Sequence, residues 1–135
     1  MNRRVDIMSM VMERAESIVT KQFDIFLADL GESKGSVQRG VRPSIVISND
    51  RSNLHSNFVV VCPITSSMTK AKLPTHVYMK ANEIGFHKDS VVLFEQHFTI
   101  DKSLLIHKIT DMPKRYEREL ERALIISTTR TFSRT

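Results

Sequence analysis

The sequence predicts a single domain of the α+β class that is mainly β: a small antiparallel β-barrel closed by a C-terminal helix. The chain has 135 residues, of which 41% are hydrophobic and 26% charged. That length supports one buried core, and the composition is close to the globular average. Five short apolar runs rich in β-branched residues follow one another with turn residues between them, which is typical of small barrels. Near the C-terminus the apolar spacing changes to that of an amphipathic helix.

The first twenty residues are predicted to form a helix that precedes this domain. Apolar side chains recur there at intervals of three and four, at Val5, Met8, Met12, Ala15 and Val19. Because this spacing gives a helix one apolar face, we expect an appended helix that packs on the domain or on a partner subunit. The expected organisation is therefore a helical extension over 1–20 and one domain over 21–135.

The five predicted strands are bounded by Gly, Asn, Asp or Pro. They cover residues 24–30, 44–48, 57–62, 75–79 and 90–94. A loop over 31–40, with three glycines, joins the first two strands. Pro63 is expected to end pairing on the third strand or to mark a bulge, because proline has no N–H to donate.

Three helical segments are predicted after the third strand, each with its own signal at one end. They are a turn over 82–85 closed by Gly85, a short helix over 102–108 that begins at Asp101, and a longer helix capped by Asp111 with Pro113 in its first turn. On the last helix, one face is shared by Tyr116, Leu120, Ala123, Leu124 and Ser127.

Several function classes are excluded by what the sequence lacks. One cysteine excludes an internal disulfide and a multi-cysteine zinc site, and the five histidines show no metal-ligand spacing. We also find no phosphate-binding P-loop, nucleophile elbow or dinucleotide fingerprint. No apolar run approaches the roughly 20 residues that span a bilayer, and no secretory signal opens the chain. A cytoplasmic protein without a cofactor, a metal or a membrane partner is therefore expected.

The net charge of +5, from 20 Lys and Arg against 15 Asp and Glu, favours a polyanionic partner. Within the segment 35–43, a glycine-rich loop offers backbone N–H groups and Arg42 offers a planar fork suited to phosphate oxygens. An ordinary hairpin loop with a surface arginine is the alternative interpretation.

A second polar segment follows the third predicted strand. Residues 63–67 read Pro-Ile-Thr-Ser-Ser, so three hydroxyls crowd a strand end, and Lys70 and Lys72 follow closely. Polar groups at the end of a rigid strand are a common way to build a site, although simple turn chemistry gives the same pattern. Cys62, among apolar neighbours, is expected to be a buried and inert thiol.

Taken together, these segments resemble the MazF/PemK toxins of bacterial type II toxin–antitoxin systems. The resemblance runs from about Phe23 to Ser127, and several motifs agree in order and spacing. They are Gly35-Ser36, Gln38, Gly40-Val-Arg-Pro43, Pro63-Ile-Thr-Ser66, Lys70-Ala-Lys-Leu-Pro-Thr-His76, Asp89-Ser-Val-Val-Leu93, Glu95-Gln96 and Thr99-Ile-Asp-Lys102. The resemblance implies an SH3-like barrel that forms a homodimer and is neutralised by a cognate acidic antitoxin.

The same resemblance implies metal-independent cleavage of single-stranded mRNA that leaves a 2′,3′-cyclic phosphate and a 5′-hydroxyl. Position by position, Arg42 matches the catalytic arginine and Thr65 the catalytic threonine, which would orient the 2′-OH. Contacts to RNA are expected from Gly35, Ser36, Gln38, Ser66, Lys70, Lys72 and Gln96.

The chain departs from the family pattern at three places. Phe23 stands where members often have glycine, Val37 stands where many have a glutamate suited to proton transfer, and His97-Phe98 replaces Ile-Arg. His97 is a candidate substitute for that proton transfer, or a strand histidine with a structural hydrogen bond. Two other functions remain open: a catalytically weakened barrel that binds RNA or a protein, and the related class that poisons DNA gyrase. The Gly-Val-Arg-Pro and Ile-Thr-Ser segments argue against the gyrase class.

Overall fold

The computed structural model describes residues 19–32, 35, 37–67 and 72–130. Within them the strands are β1 (Ile25–Asp29), β2 (Val41–Val46), β3 (Phe58–Thr65), β4 (His76–Met79), β5 (Ser90–Leu93), β6 (Phe98–Asp101) and β7 (Leu105–Thr110). The α-helices are α1 (Asp50–His55), α2 (Ala81–Ile84) and α3 (Glu117–Thr128). Three 3₁₀ turns cover Phe94–Gln96, Lys102–Leu104 and Lys114–Tyr116.

All strand pairs are antiparallel, and β3 lies at the centre of the sheet. The order is β4-β5-β3-β2-β1-β7, and β6 pairs with β3 outside this path. The mainly β class with a C-terminal helix is confirmed. No pairing joins β4 to β7 in the described part of the chain, so the sheet there is an open structure and not the closed barrel that was expected.

Both faces of the sheet are covered, because consecutive residues of the central strands point to opposite sides. Ile45 and Cys62 pack in a cluster that includes Tyr116, Leu120 and Ala123 of the C-terminal segment. Their neighbours Val46 and Val61 pack in a second cluster with Phe26, Val59 and Leu105. Most strand residues that read as an unbroken apolar run are therefore buried on one side or the other.

The expectation that Pro63 ends or bulges its strand was wrong. Pro63 lies opposite Ser44, and β3 continues to Thr65. On its other edge, β3 pairs with β6 up to Val61 and with β5 from Ile64 onwards. Pro63 falls in the gap between these two partners, where the absence of an N–H leaves no ladder acceptor unpaired.

The prediction of a helix over 102–108 was also wrong beyond the first turn. Asp101 caps the 3₁₀ turn by accepting a hydrogen bond from the Ser103 N–H at 2.9 Å, and the strand β7 then begins at Leu105. This strand pairs with β1, whose second edge is otherwise open. The pairing of β7 with β1 therefore outweighs the local preference for a helix. The strand β6 had not been anticipated either.

The final helix begins later than its sequence signal indicates. Asp111 does not cap it; its carboxylate forms an ion pair with Lys108, which lowers the pKa of Asp111 and raises that of Lys108. A 3₁₀ turn follows Pro113, and α3 starts at Glu117. Tyr116, Leu120 and Ala123 are buried as expected.

The predicted N-terminal helix falls almost wholly outside the described residues. Val19 and Thr20, its last two positions, have no regular secondary structure. No helix in the described ranges is long and apolar enough to span a membrane.

Candidate active site

A cavity of about 630 Å³ lies at the end of β3, where the two polar segments singled out in the sequence meet. Its walls come from the loop before β2, the start of β2, the end of β3, the segment before β5, and β7. The lining residues are Gln38, Arg42, Pro43, Ile64, Thr65, Ser66, Ser67, Gly85, Phe86, His87, Lys88, Ser90 and Ile109. Arg42 and Thr65, the two residues predicted to be catalytic, thus share one cavity.

Arg42 is half-buried on β2, and its guanidinium is fixed by two acceptors. Its Nε donates to the Arg39 carbonyl at 2.7 Å, and its Nη1 donates to the Gln38 side-chain oxygen at 2.5 Å. A guanidinium has five N–H donors. Three of the five therefore have no acceptor among the described residues, and these suit a phosphate group in the cavity.

The segment 96–98 holds the two loop residues that fix Arg42. The Gln96 side-chain oxygen accepts a hydrogen bond from the Gln38 backbone N–H at 2.7 Å. The Phe98 ring lies under the Arg39 guanidinium, 3.7 Å from ring centroid to the guanidinium carbon. The family pattern has an arginine at the position of Phe98. In this chain Phe98 instead stacks on Arg39, which is a cation close to the site.

Thr65 is the last residue of β3 and is buried, with 8% of its surface exposed. Its hydroxyl oxygen accepts a hydrogen bond from the Ser67 N–H at 3.1 Å. The hydroxyl proton therefore remains available to donate, which fits a residue that orients a substrate hydroxyl better than one that removes a proton.

The register of the sheet places Thr65 between β5 on one side and β2 on the other. Thr65 pairs with Val91 of β5 on one side. On the other side Ser44 pairs with Pro63, and continuing that register by two residues brings Arg42 opposite Thr65. Neighbouring strands lie about 4.8 Å apart. Arg42 on β2 and the segment that leads into β5 therefore lie on opposite sides of β3.

The wall that precedes β5 was not part of the predicted site. Phe86, His87 and Lys88 face the cavity after Gly85 ends α2 in the left-handed conformation, with φ at +72°. The residues of this wall carry no local sign of their position, because they reach the cavity only through the pairing of β5 with β3.

The other predicted RNA-binding residues do not all line the cavity. Ser66 lines it, and Gly35 is exposed with φ at +62°. Lys72 is exposed and its ammonium lies 5.7 Å from the Tyr78 ring centroid, outside the lining. Ser36 and Lys70 lie outside the described residues.

Cys62 and His97 carry groups that can react, but their surroundings indicate structural roles. Cys62 is fully buried, and burial, together with the Glu95 charge, raises the pKa of its thiol far above the ordinary range. The His97 ring nitrogen Nδ1 lies 2.7 Å from the Phe94 carbonyl oxygen, so it donates to that oxygen. His97 does not line the cavity, and the structural interpretation of this histidine is the one supported.

In the described ranges, no group of three or more His, Cys, Asp or Glu side chains is arranged to hold a metal ion.

Residues 21–128 match the family model of PemK-like, MazF-like toxins of type II toxin–antitoxin systems. The chain is 46% identical over 110 residues to endoribonuclease EndoA of Bacillus subtilis, covering 82% of this chain and 95% of that protein. It is 42% identical over 104 residues to endoribonuclease MazF of Staphylococcus saprophyticus, covering 77% and 87%.

Solved structures show the same fold. The MazF structure from Deinococcus radiodurans superposes with a TM-score of 0.66 at 22% identity, covering 82% of this chain and 96% of that one. A mycobacterial endoribonuclease in complex with its cognate antitoxin superposes with a TM-score of 0.65 at 21% identity, covering 80% and 93%.

Proposed function

Because the chain belongs to the PemK-like, MazF-like family of toxins of type II toxin–antitoxin systems, we propose that it is an endoribonuclease that cleaves single-stranded mRNA at short sequence motifs. The observation that carries the proposal is the pair of Arg42 and Thr65 in one cavity, with Arg42 held by Gln38 and Arg39. The names of the curated relatives, both endoribonucleases, support the same activity.

The reaction needs no nucleophile from the protein, because the ribose 2′-OH attacks the adjacent phosphate. The 2′ oxygen forms a bond to phosphorus, the bond from phosphorus to the 5′ oxygen breaks, and the products are a 2′,3′-cyclic phosphate and a 5′-hydroxyl. The protein must align the attack, stabilise the charge that grows on the non-bridging oxygens, and move protons.

Arg42 binds the scissile phosphate in this scheme. Its three remaining N–H donors point to no described acceptor, so they can bond to the non-bridging oxygens as negative charge builds there. The two protein acceptors hold the guanidinium in advance, which reduces the reorganisation that the transition state requires. Thr65 donates its hydroxyl proton to orient the 2′ oxygen.

The biological setting follows from family membership. We propose that the protein acts as a homodimer and that a cognate acidic antitoxin neutralises it by laying a partly disordered segment over the RNA groove. The basic surplus of the chain favours both polyanionic RNA and an acidic peptide.

The test is cleavage of a sequence-complex single-stranded RNA by the purified full chain in EDTA, followed by sequencing of the ends. We expect cuts at a few motifs, with cyclic phosphate on one side and 5′-hydroxyl on the other. Arg42→Ala should reduce the cleavage rate at least about 100-fold, which is typical when a transition-state donor is removed.

Arg51→Ala is the matched control, because Arg51 is exposed at α1 and its loss changes the net charge equally. Its rate should equal that of the parent. Full activity in Arg42→Ala would contradict the assignment of the site. A folded parent that cuts no RNA would instead favour a protein of this fold that only binds RNA or a protein, the alternative that Val37 leaves open.

A further inference from the structure

We propose that His87 is the general base that removes the proton from the ribose 2′-OH, an inference that rests on the proposed ribonuclease function. The loop glutamate expected for this role is Val37 in this chain. Another group must then accept the proton, and His97, the substitute considered from the sequence, is bonded to the Phe94 carbonyl and lies outside the cavity.

His87 is exposed and lines the cavity together with Arg42 and Thr65. The titratable side chains among the described lining residues, besides hydroxyls, are His87, Lys88 and Arg42. An arginine is always charged, and a lysine ordinarily carries its proton at neutral pH. Histidine is the side chain that ordinarily changes charge near neutrality, so His87 is the group in this cavity suited to accept a proton.

In the proposed complex the 2′-OH lies on the side of the cavity that His87 lines. Thr65 lies between β2, which carries Arg42, and β5, which follows His87 in the chain. In the proposed complex, RNA with its phosphate on Arg42 and its 2′-OH on Thr65 extends toward the segment before β5. A base at His87 is then adjacent to the nucleophile and on the far side of Thr65 from Arg42.

The 2′-OH gives its proton to a neutral imidazole nitrogen of His87 while the electron pair of the 2′ oxygen forms the bond to phosphorus. The bond from phosphorus to the 5′ oxygen breaks, its electron pair stays on that oxygen, and water supplies the proton that gives the 5′-hydroxyl. The imidazolium then returns its proton to solvent.

The charged groups around His87 are few in the described part of the chain. Arg42 faces the cavity from β2 and Lys88 from the same segment, while β7 contributes the uncharged Ile109. Asp89, two positions along, already accepts a hydrogen bond from the Ala81 N–H at 2.8 Å. No carboxylate lines the cavity among these residues.

The other four histidines are not part of the cavity lining, and two of them provide matched controls. His76 is bonded to Glu95 at 2.8 Å, and His97 to the Phe94 carbonyl. His55 and His107 are exposed on α1 and β7. His55→Gln and His107→Gln therefore remove an equivalent surface histidine without touching the cavity.

The experiment measures single-turnover cleavage of an RNA oligonucleotide from pH 5 to 9 by the parent, His87→Gln and the two control variants. For the parent we expect a rate that rises with pH and then levels, because a base acts only when it is deprotonated. His87→Gln should lose about 100-fold or more in rate with little change in RNA affinity, and should lose the ascending limb. The control variants should keep the parental profile.

Rescue separates chemistry from structure. In His87→Ala, added imidazole should restore cleavage in proportion to its neutral fraction, whereas a structural role would not respond. The proposal would be overturned if the cleavage rate of His87→Gln were within twofold of the parental rate, or if the variant kept the ascending limb of the pH profile. In that case an active parent and an inactive Arg42→Ala variant would still support the ribonuclease assignment. A parent that cuts nothing overturns both.

Discussion

Phe23 adopts a backbone conformation that normally belongs to glycine, with φ at +73°. It also packs in the larger hydrophobic cluster with 6% of its surface exposed. A bulky residue in this region is strained by about 1–2 kcal/mol, whereas truncating a buried phenylalanine costs about 3–5 kcal/mol. Burial outweighs strain, which explains how this chain tolerates Phe23 at a position of positive φ.

A pair of substitutions separates the two contributions at this residue. Phe23→Ala and Phe23→Gly should both be less stable than the parent, but Phe23→Gly should be the more stable of the two by about 1 kcal/mol, because glycine adopts positive φ without strain. Urea unfolding measures both values.

The control pair uses Phe26, which is buried in β1 and is not among the described residues with positive φ. There the order should reverse, since glycine is about 0.5–1 kcal/mol less stable than alanine inside a strand. The same order at both positions would show that Phe23 is not strained.

Gln96 lies near the site without lining its cavity, and its contacts indicate a positioning role. It holds the Gln38 backbone, and the Gln38 side chain accepts from Arg42. Gln96→Ala should reduce kcat for RNA cleavage by roughly tenfold, the equivalent of one hydrogen bond of about 1.4 kcal/mol.

A double-mutant cycle distinguishes positioning from direct contact with RNA. If Gln96 acts through Gln38, the loss in Gln38→Ala/Gln96→Ala should be clearly smaller than the product of the single losses. Multiplicative losses expressed mainly in KM would show independent RNA contacts instead. Thr99→Ala, at an exposed position on β6, is the control and should match the parent.

At the scale of elements, the C-terminal segment holds the wall that carries His87. The Tyr116 hydroxyl accepts from the Lys80 N–H at 3.0 Å and donates to Glu83 at 2.5 Å, while Arg115 forms an ion pair with Glu83 at 2.7 Å. Burial and the hydrogen bond to Glu83 raise the pKa of Tyr116. The position of α2, and of the segment that follows it, therefore depends on contacts made more than thirty residues later in the chain.

Tyr116→Phe should lower the free energy of unfolding by about 1–3 kcal/mol, because the Lys80 N–H loses its acceptor and Glu83 loses a donor. A raised folded-state pKa means that this contribution is complete below the unfolded tyrosine pKa of about 10 and declines as pH rises through the folded value. Thermal unfolding of parent and variant at pH 7 and above pH 10 measures both effects.

Tyr78→Phe is the matched control, because the buried Tyr78 hydroxyl has no hydrogen-bond partner among the described residues. Its removal should leave stability unchanged or slightly higher, and the ring that Lys72 contacts is kept. An equal loss of unfolding free energy in both variants would show that the Tyr116 hydroxyl does not stabilise the protein through Lys80 and Glu83.

At the scale of the whole molecule, the cavity exists only because distant segments of the chain meet. β3 brings together residues from β2 and from the segment before β5, and β7 closes a side through Ile109. The cations are distributed by the same packing: Arg42 and Lys88 line the cavity, whereas Arg39 stacks on Phe98 and Lys72 lies over Tyr78. Lys72, which was expected from the sequence to contact RNA, is therefore not part of the cavity lining.

The sequence by itself determined the family, the mainly β class and most of the buried strands. It also predicted that Arg42 and Thr65 belong to one site, and the two residues do line one cavity. These features depend on local apolar spacing, turn residues and short motifs, which lie within a few residues of one another. It failed where a neighbour in space decides the outcome, as at Pro63 and over 105–108, because strand pairing overrides local propensity.

Only the tertiary structure decided which groups surround Arg42 and Thr65. The contact of Gln96 with Gln38 spans 58 residues, and His87 reaches the cavity through the pairing of β5 with β3. A motif marks Gln96 only as an RNA contact, and no local pattern marks His87, because the free energy that places them comes from sheet pairing and core packing between segments far apart in the chain. The motifs thus single out Arg42, and the fold supplies the residues that hold its guanidinium and the histidine that lines the same cavity.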